Sequence, residues 1–212
     1  KIYDTIEENK KFRIFSNLYL PISVVKITNE ELEKISKEYT IEEATEKLKR
    51  SYECDFYLMG REWPYKDVKH RIIAEQYMQD GVKSELRDYK FYCFSGVPKF
   101  LYISEGLENH KTARISFIDI EGDKWEFAPF RRTDFREFAT LPQIPDNYRE
   151  MFRIAEILSE DYPFVRVDLY TINGKIYPSE LTFTPGAGFT KYEPEEWNYR
   201  LGDMIKLPPN SQ

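Results

Sequence analysis

The sequence predicts an α+β protein, an antiparallel sheet with flanking helices. Three stretches carry that expectation. Residues 164–172 and 175–183 alternate apolar and polar side chains on either side of Asn173-Gly174. Residues 86–94 alternate in the same way and turn at Gly96-Val-Pro98 into a second apolar run, Lys99 to Ile103. Between them, Tyr148, Met151, Phe152, Ala155, Ile157 and Leu158 follow helical spacing. Period two marks half-buried strands, and a period near 3.6 marks an amphipathic helix.

Taken in order, Phe12 to Val25 has strand character interrupted by Pro21, which confines it to an edge. Thr28-Asn-Glu-Glu31 and Thr40-Ile-Glu-Glu43 have capping-box spacing and predict helices over about 29–38 and 41–50, with charged faces turned to solvent. Residues 57–69, with Arg61, Trp63, Lys66 and Lys69, form an aromatic and basic connection. We expect a surface loop with Trp63 anchored in the core; the alternative is the acceptor side of a cleft. Arg71 to Met78 reads as a buried strand in which Glu75 needs a partner. In 86–94, Asp88, Lys90 and Tyr92 take one face and Tyr89, Phe91 and Cys93 the other. Ala113 to Ile120 is a further strand, and Arg131, Arg132 and Arg136 bring positive charge to a cleft. Pro142 and Pro145 precede a helix over 146–159 that packs on the sheet. A last helix, about 194–205, has Pro194 in its first turn and buries Trp197, Leu201 and Ile205.

Composition bounds the function. The chain has 212 residues, enough for one substantial core or two small lobes. Lys and Arg total 31 against 37 Asp and Glu, a formal charge of −6. That balance argues against a nucleic-acid partner, which needs a basic footprint. No run of about 18 apolar residues is present, so no transmembrane segment is expected. No charged-then-apolar leader follows Lys1, so we expect no signal peptide, and the absence of an initiator Met suggests a fragment. Cys54 and Cys93 read as reduced thiols of a cytoplasmic protein. With only His70 and His110, a histidine metal cluster or triad is not expected.

The hairpin at 164–183 carries the chemistry. If Val165, Val167 and Leu169 share a face with Tyr177, Leu181 and Phe183, then Asp168 and Glu180 share the other. A two-residue Asn173-Gly174 turn places Asp168 opposite Ser179 and Glu180 on the far face, because a one-residue slip flips every side chain. We therefore expect a three-residue loop, Ile172 to Gly174, pairing Asp168 with Pro178 and Arg166 with Glu180. Asp168 and Glu180 are then diagonal neighbours about 7–8 Å apart. Two such carboxylates can hold Mg²⁺ over a nucleotide's phosphates. A cross-strand ion pair between Glu180 and Arg166 is the plain alternative.

Arg166-Val-Asp168, the Asn-Gly turn, Ser179-Glu180-Leu-Thr182 and Pro185-Gly186-Ala-Gly188 resemble the metal-binding end of the ATP-grasp ligases. The branch most resembled is linked to teichuronopeptide and capsule polysaccharide synthesis. The likeness continues through Tyr192-Glu-Pro-Glu-Glu-Trp197 to Pro208. Upstream it takes in Gly60-Arg-Glu-Trp63-Pro-Tyr65, Arg71-Ile-Ile-Ala-Glu75-Gln-Tyr77 and Asp88-Tyr-Lys90-Phe-Tyr-Cys-Phe94. The sequence departs from the family in having no glycine before Gly60, where a phosphate loop is expected.

The resemblance implies a partial N-terminal lobe over 1–56 and an ATP-grasp-like nucleotide- and metal-binding region over 57–212. It implies ATP and Mg²⁺ as cofactors, and a carboxylate joined to an amine through an acyl-phosphate in bacterial cell-surface or capsular polysaccharide biosynthesis. The partners implied are a nucleotide and a small-molecule or glycan substrate. Asp168, Glu180 and Thr182 would serve the metal, with Thr182 standing where relatives use Asn. Lys90 and Arg166 would be the catalytic cations, and Glu75 with Lys90 would contact the nucleotide. Gly186 and Gly188 would offer N–H groups to an anionic substrate. The alternatives are a sugar-nucleotide glycosyltransferase, against which stands the lack of an Asp-x-Asp pair, and a non-catalytic ATP-grasp remnant.

Overall fold

The computed structural model describes residues 12–16, 41–70, 72–76, 86–107 and 111–207. By contacts the chain forms two units, Lys1–Met78 and Gln79–Gln212. A division by contacts does not decide the boundary at residues 56 and 57 expected from the motifs. The helix expected over 29–38 lies outside the described residues.

In the first unit, β1 (Phe12–Ser16) precedes helices α1 (Ile41–Glu53) and α2 (Phe56–Gly60) and strand β2 (Ile72–Gln76). β1 and β2 pair antiparallel, with Arg13 opposite Glu75. Trp63 opens a one-turn 3-10 segment, Trp63–Tyr65. It is 62% exposed, not anchored in a core as expected. Its ring packs against Tyr57 at 5.7 Å between centroids and carries the Lys66 ammonium 5.6 Å above it, so its contacts are local.

The second unit is built on a six-stranded antiparallel sheet. β3 (Asp88–Phe94), β4 (Val97–Glu105), β5 (Arg114–Asp119) and β6 (Glu126–Phe127) form a meander. After β7 (Arg131–Arg132) and helix α3 (Tyr148–Ser159), strand β8 (Phe164–Ile172) returns beside β3, and β9 (Lys175–Thr182) pairs with β8. The order is therefore β6-β5-β4-β3-β8-β9. β10 (Tyr192–Glu193) pairs with β7, and helix α4 (Glu196–Asp203) follows. This is the α+β architecture the alternation predicts.

The sheet buries both faces, as its central strands require. On one face Tyr89, Phe91, Cys93, Leu101, Ile103, Val165, Val167 and Leu169 pack under α3, which contributes Met151 and Ala155. Those two and Ser159 lie four residues apart on one stripe, so Ile157 points away and is 60% exposed, contrary to expectation. Asn147, at the head of α3, donates to Thr171 Oγ1 at 2.7 Å and to the Gly174 carbonyl at 3.1 Å, tying the helix to the hairpin turn. On the other face lies an aromatic cluster, Tyr92, Phe94, Phe100, Tyr102, Phe117 and Phe130, closed by Trp197 and Leu201 of α4. Pro194 precedes α4 instead of opening it, and Ile205, beyond its end, is partly exposed.

The β8–β9 turn corrects the sequence reading. Ile172 pairs with Lys175, so the turn has two residues, and Asn173 and Gly174 both take positive φ, 51° and 75°. That is the type I′ conformation for which Asn-Gly is suited. The register then shifts between Asp168 and Leu169: Leu169 faces Pro178, but Asp168 faces Glu180. Ser179 is the extra residue of a β-bulge. A bulge resets the alternation by one, so the short turn and the shared carboxylate face coexist.

Candidate functional site

Three adjacent strands build the site in two rows. Lys90 of β3, Asp168 of β8 and Glu180 of β9 form one row; Tyr92, Arg166 and Thr182 form the next. Cross-strand partners project on the same side, so these six residues share the face that carries the aromatic cluster. Alternation along β3 and β8 keeps the intervening Phe91 and Val167 in the opposite core.

Asp168 is the centre. Its carboxylate is 2% exposed and accepts three hydrogen bonds. Arg166 donates from Nε to Oδ1 and from Nη2 to Oδ2, each at 2.7 Å, and Lys90 donates from Nζ to Oδ2 at 2.7 Å. Burial alone would raise the carboxyl pKa; the Arg166 and then the Lys90 charge outweigh it and hold Asp168 below the usual carboxylate range. Burial works against the Lys90 ammonium as well, but Asp168 and then Asp88 raise its pKa above the ordinary lysine value. Arg166 also reaches Glu180 Oε2 at 3.4 Å, so the plain cross-strand pair is present beside the shorter bonds to Asp168. Glu180 itself is half exposed.

Asp88 was not singled out from the sequence. It lies two residues before Lys90 on the same face, with its Oδ2 3.6 Å from Lys90 Nζ and 3.4 Å from the Ser104 hydroxyl, which donates to it. The aromatic hydroxyls beside the site are a second omission. Tyr102 is buried and Tyr192 partly so, and burial first, then the neighbouring Tyr92, raises the pKa of both far above the usual tyrosine range. For Asp88 the signal was the alternation of β3 itself, in which Asp88, Lys90 and Tyr92 share one face.

Thr182 Oγ1 is buried and has no hydrogen-bond partner. A buried hydroxyl left unsatisfied is uncommon and calls for an explanation. Asp168, Glu180 and Thr182 are all oxygen donors, the chemistry a hard cation such as Mg²⁺ takes. Among the described residues no group of three or more His, Cys, Asp and Glu side chains gathers as a metal cage. The donor set thus fits a cation that completes its shell with water or a ligand's oxygens, on condition that Asp168 is released from its two cations.

Beyond β9, Pro185–Gly188 forms a tight turn in which Gly186, Ala187 and Gly188 all take positive φ. A Cβ on Gly186 would press on Thr190 Oγ1, so a larger residue there needs Thr190 to move as well as a strained backbone. The Ala187 and Phe189 N–H groups donate within the loop, to the Thr184 and Gly186 carbonyls. Glu75 lies on β2 of the first unit, opposite Arg13, and its side chain lies outside the described residues. Two of the three arginines expected to charge a cleft are paired with carboxylates. Arg131 sits 3.6 Å from Glu137 and 3.4 Å from Glu193, and Arg132 holds Asp134.

Fold and site together define an α+β protein whose central sheet presents paired cations and carboxylates on one face. The family model described as TupA-like ATP-grasp matches residues 24–206, and the chain belongs to that family. No curated protein and no solved structure matches it. Among the described residues no helix is long and apolar enough to cross a membrane.

Proposed function

We propose that the chain is an ATP-dependent carboxylate–amine ligase acting in the cytoplasm, in the biosynthesis of a cell-surface or capsular polysaccharide. Family membership supports the ATP-grasp part of this reading. The observation that carries the rest is the convergence of Lys90, Arg166, Asp168 and Glu180 on one face of three adjacent strands. Phosphoryl transfer asks little covalent chemistry of a protein; it needs cations in place before the charge moves.

In this reading Lys90 and Arg166 hold the transferring group and the substrate carboxylate in line. Asp168, Glu180 and Thr182 would hold Mg²⁺, which neutralises phosphate charge when bound. Glu75 is assigned to the nucleotide and the N–H groups of Gly186 and Gly188 to an anionic substrate, with residues 57–212 as the region that does this work. The amine then displaces phosphate from the activated carboxylate. A non-catalytic remnant is the second reading, favoured by the full engagement of Asp168 with two cations.

Thermal unfolding separates these. A ligand at 100 times its dissociation constant stabilises by about 2.7 kcal/mol, roughly 5–10 °C for a unit of this size. A rise with Mg-ATP that EDTA abolishes supports the ligase and leads to a phosphate-release screen of carboxylates and amines. A rise only with a Mg-UDP-sugar points to a glycosyltransferase, and no shift points to the remnant.

A further inference from the structure

Both cations at the site have a second carboxylate within reach. Arg166 has Glu180 at 3.4 Å, and Lys90 has Asp88 at 3.6 Å, against 2.7 Å to Asp168 for each. The two alternatives are not equivalent. Glu180 is half exposed and belongs to the donor set, whereas Asp88 is mostly buried beside Ser104 on the far side of Lys90. A divalent cation at Asp168 meets a carboxylate whose Oδ2 already accepts from both Arg166 and Lys90, and it is repelled by both. Withdrawal of Lys90 frees a lone pair and removes one of the two repulsions, and a buried ammonium withdraws only to another counter-ion.

We propose that Asp88 is a positioning residue: it receives the Lys90 ammonium when Asp168 is given up to a divalent cation, so that cation and phosphate-bearing ligand enter the site together. This rests on the nucleotide reading of the site. The charges set the order. Lys90 and Arg166 against Asp88, Asp168 and Glu180 leave one net negative charge. A divalent cation reverses it to one positive, which then attracts the negative charge of a polyphosphate.

The test measures Mn²⁺ binding by the loss of its free electron-paramagnetic-resonance signal, with and without a non-hydrolysable ATP analogue, each titration read against the same analogue concentration without protein because its phosphates bind Mn²⁺ themselves. Wild type is expected to bind Mn²⁺ about tenfold or more tightly with the analogue present, within the usual range of coupling between sites. In Asp88→Asn that ratio falls toward one, and in Asp88→Glu, which keeps the charge, it returns. Lys90→Met is expected to bind Mn²⁺ without the analogue about tenfold more tightly than wild type, the scale on which one neighbouring charge acts. Lys90→Gln replaces it should Lys90→Met not fold.

An Asp88→Asn protein that keeps the wild-type ratio overturns the proposal, and so does a Lys90 variant that gains no Mn²⁺ affinity. A wild type that binds no analogue overturns the ligase reading instead. Mn²⁺ alone still decides the counter-ion claim in that case: Asp88→Asn is expected to bind it about tenfold more weakly than wild type and Asp88→Glu to recover, and an Asp88→Asn protein with wild-type Mn²⁺ affinity overturns the proposal.

Discussion

Lys90 and Asp168 face each other across β3 and β8 and close a 2.7 Å ion pair in which the carboxylate is 2% exposed. The pair is one arm of a triad, since Arg166 grips both oxygens of the same carboxylate. Removing a single member leaves the others unequally compensated. Asp168→Ala leaves two buried cations with only their longer contacts to Glu180 and Asp88 and is expected to lower unfolding free energy by about 3 kcal/mol, whereas Lys90→Met leaves Asp168 with Arg166 and is milder. Urea unfolding of the two variants gives that order; equal losses would mean that the carboxylate does not organise the cluster.

The same triad predicts an acid limb. Asp168 is held below its ordinary pKa in the folded chain, so it binds fewer protons folded than unfolded. Its contribution is fully present above the unfolded carboxylate value of about 4 and is lost as pH falls through the lower folded value. The stability gap between wild type and Asp168→Asn should therefore narrow below about pH 4. Urea midpoints at pH 7, 5, 4 and 3 show it, and a gap constant down to pH 3 contradicts the assignment.

Gly186 is expected to be far less replaceable than Gly188. Both have positive φ, but only at Gly186 does an added Cβ meet a neighbour, Thr190 Oγ1 at 2.3 Å. Gly188→Ala bears backbone strain alone, on the order of 1 kcal/mol, and Gly186→Ala bears that plus a clash. Thr190→Ala removes the clashing atom and leaves Thr190 Cβ at 3.6 Å. The double variant Gly186→Ala, Thr190→Ala should recover the excess, while Thr190→Ser, which keeps the oxygen, should not. Thermal midpoints of these proteins decide it.

Phe130 joins the short β7–β10 layer to the main sheet. Its ring lies 4.9 Å from Phe100, 4.7 Å from Phe117 and 4.9 Å from Trp197. Phe130→Ala is expected to destabilise by about 3–5 kcal/mol, and Phe130→Leu by clearly less. Denaturant titration measures both.

Much of this was legible because two-residue periodicity is a direct record of which face is buried. It placed Lys90 with Asp88 and Tyr92, set Tyr89, Phe91 and Cys93 in the opposite core, and required Asp168 and Glu180 to share a side. The route by which they share it was not legible from periodicity. The three-residue loop was inferred because an unbroken ladder demanded it, and Ser179 breaks the ladder. Pro178 was the available sign, since proline in a strand is confined to edges and bulges. Trp63 and Ile157 were misplaced for another reason. Apolar character states what burial would gain, not whether a neighbour is there to provide it, and those positions face outward. Asp88 was placed on that face but given no role, because a carboxylate two residues from a lysine is ordinary on a polar face; its meaning comes from Asp168, 80 residues away, arriving at the same ammonium.

Thr182 offers the sharpest separation of folding from binding. Its buried hydroxyl has no partner, so it bears a desolvation penalty with nothing to offset it. Thr182→Val keeps the shape and deletes the oxygen. The free protein should then be unchanged or more stable by about 1 kcal/mol, the reverse of most buried substitutions. If that oxygen serves the cation, the same variant should lose part of the stabilisation that Mg-ATP confers on wild type. Thr182→Asn, which supplies a stronger oxygen donor, should keep or increase it. Thermal unfolding of the three proteins with Mg-ATP, with EDTA and with neither resolves the two effects. A Thr182→Val protein that is destabilised alone but gains the full Mg-ATP shift would show that the hydroxyl serves packing and not the ligand.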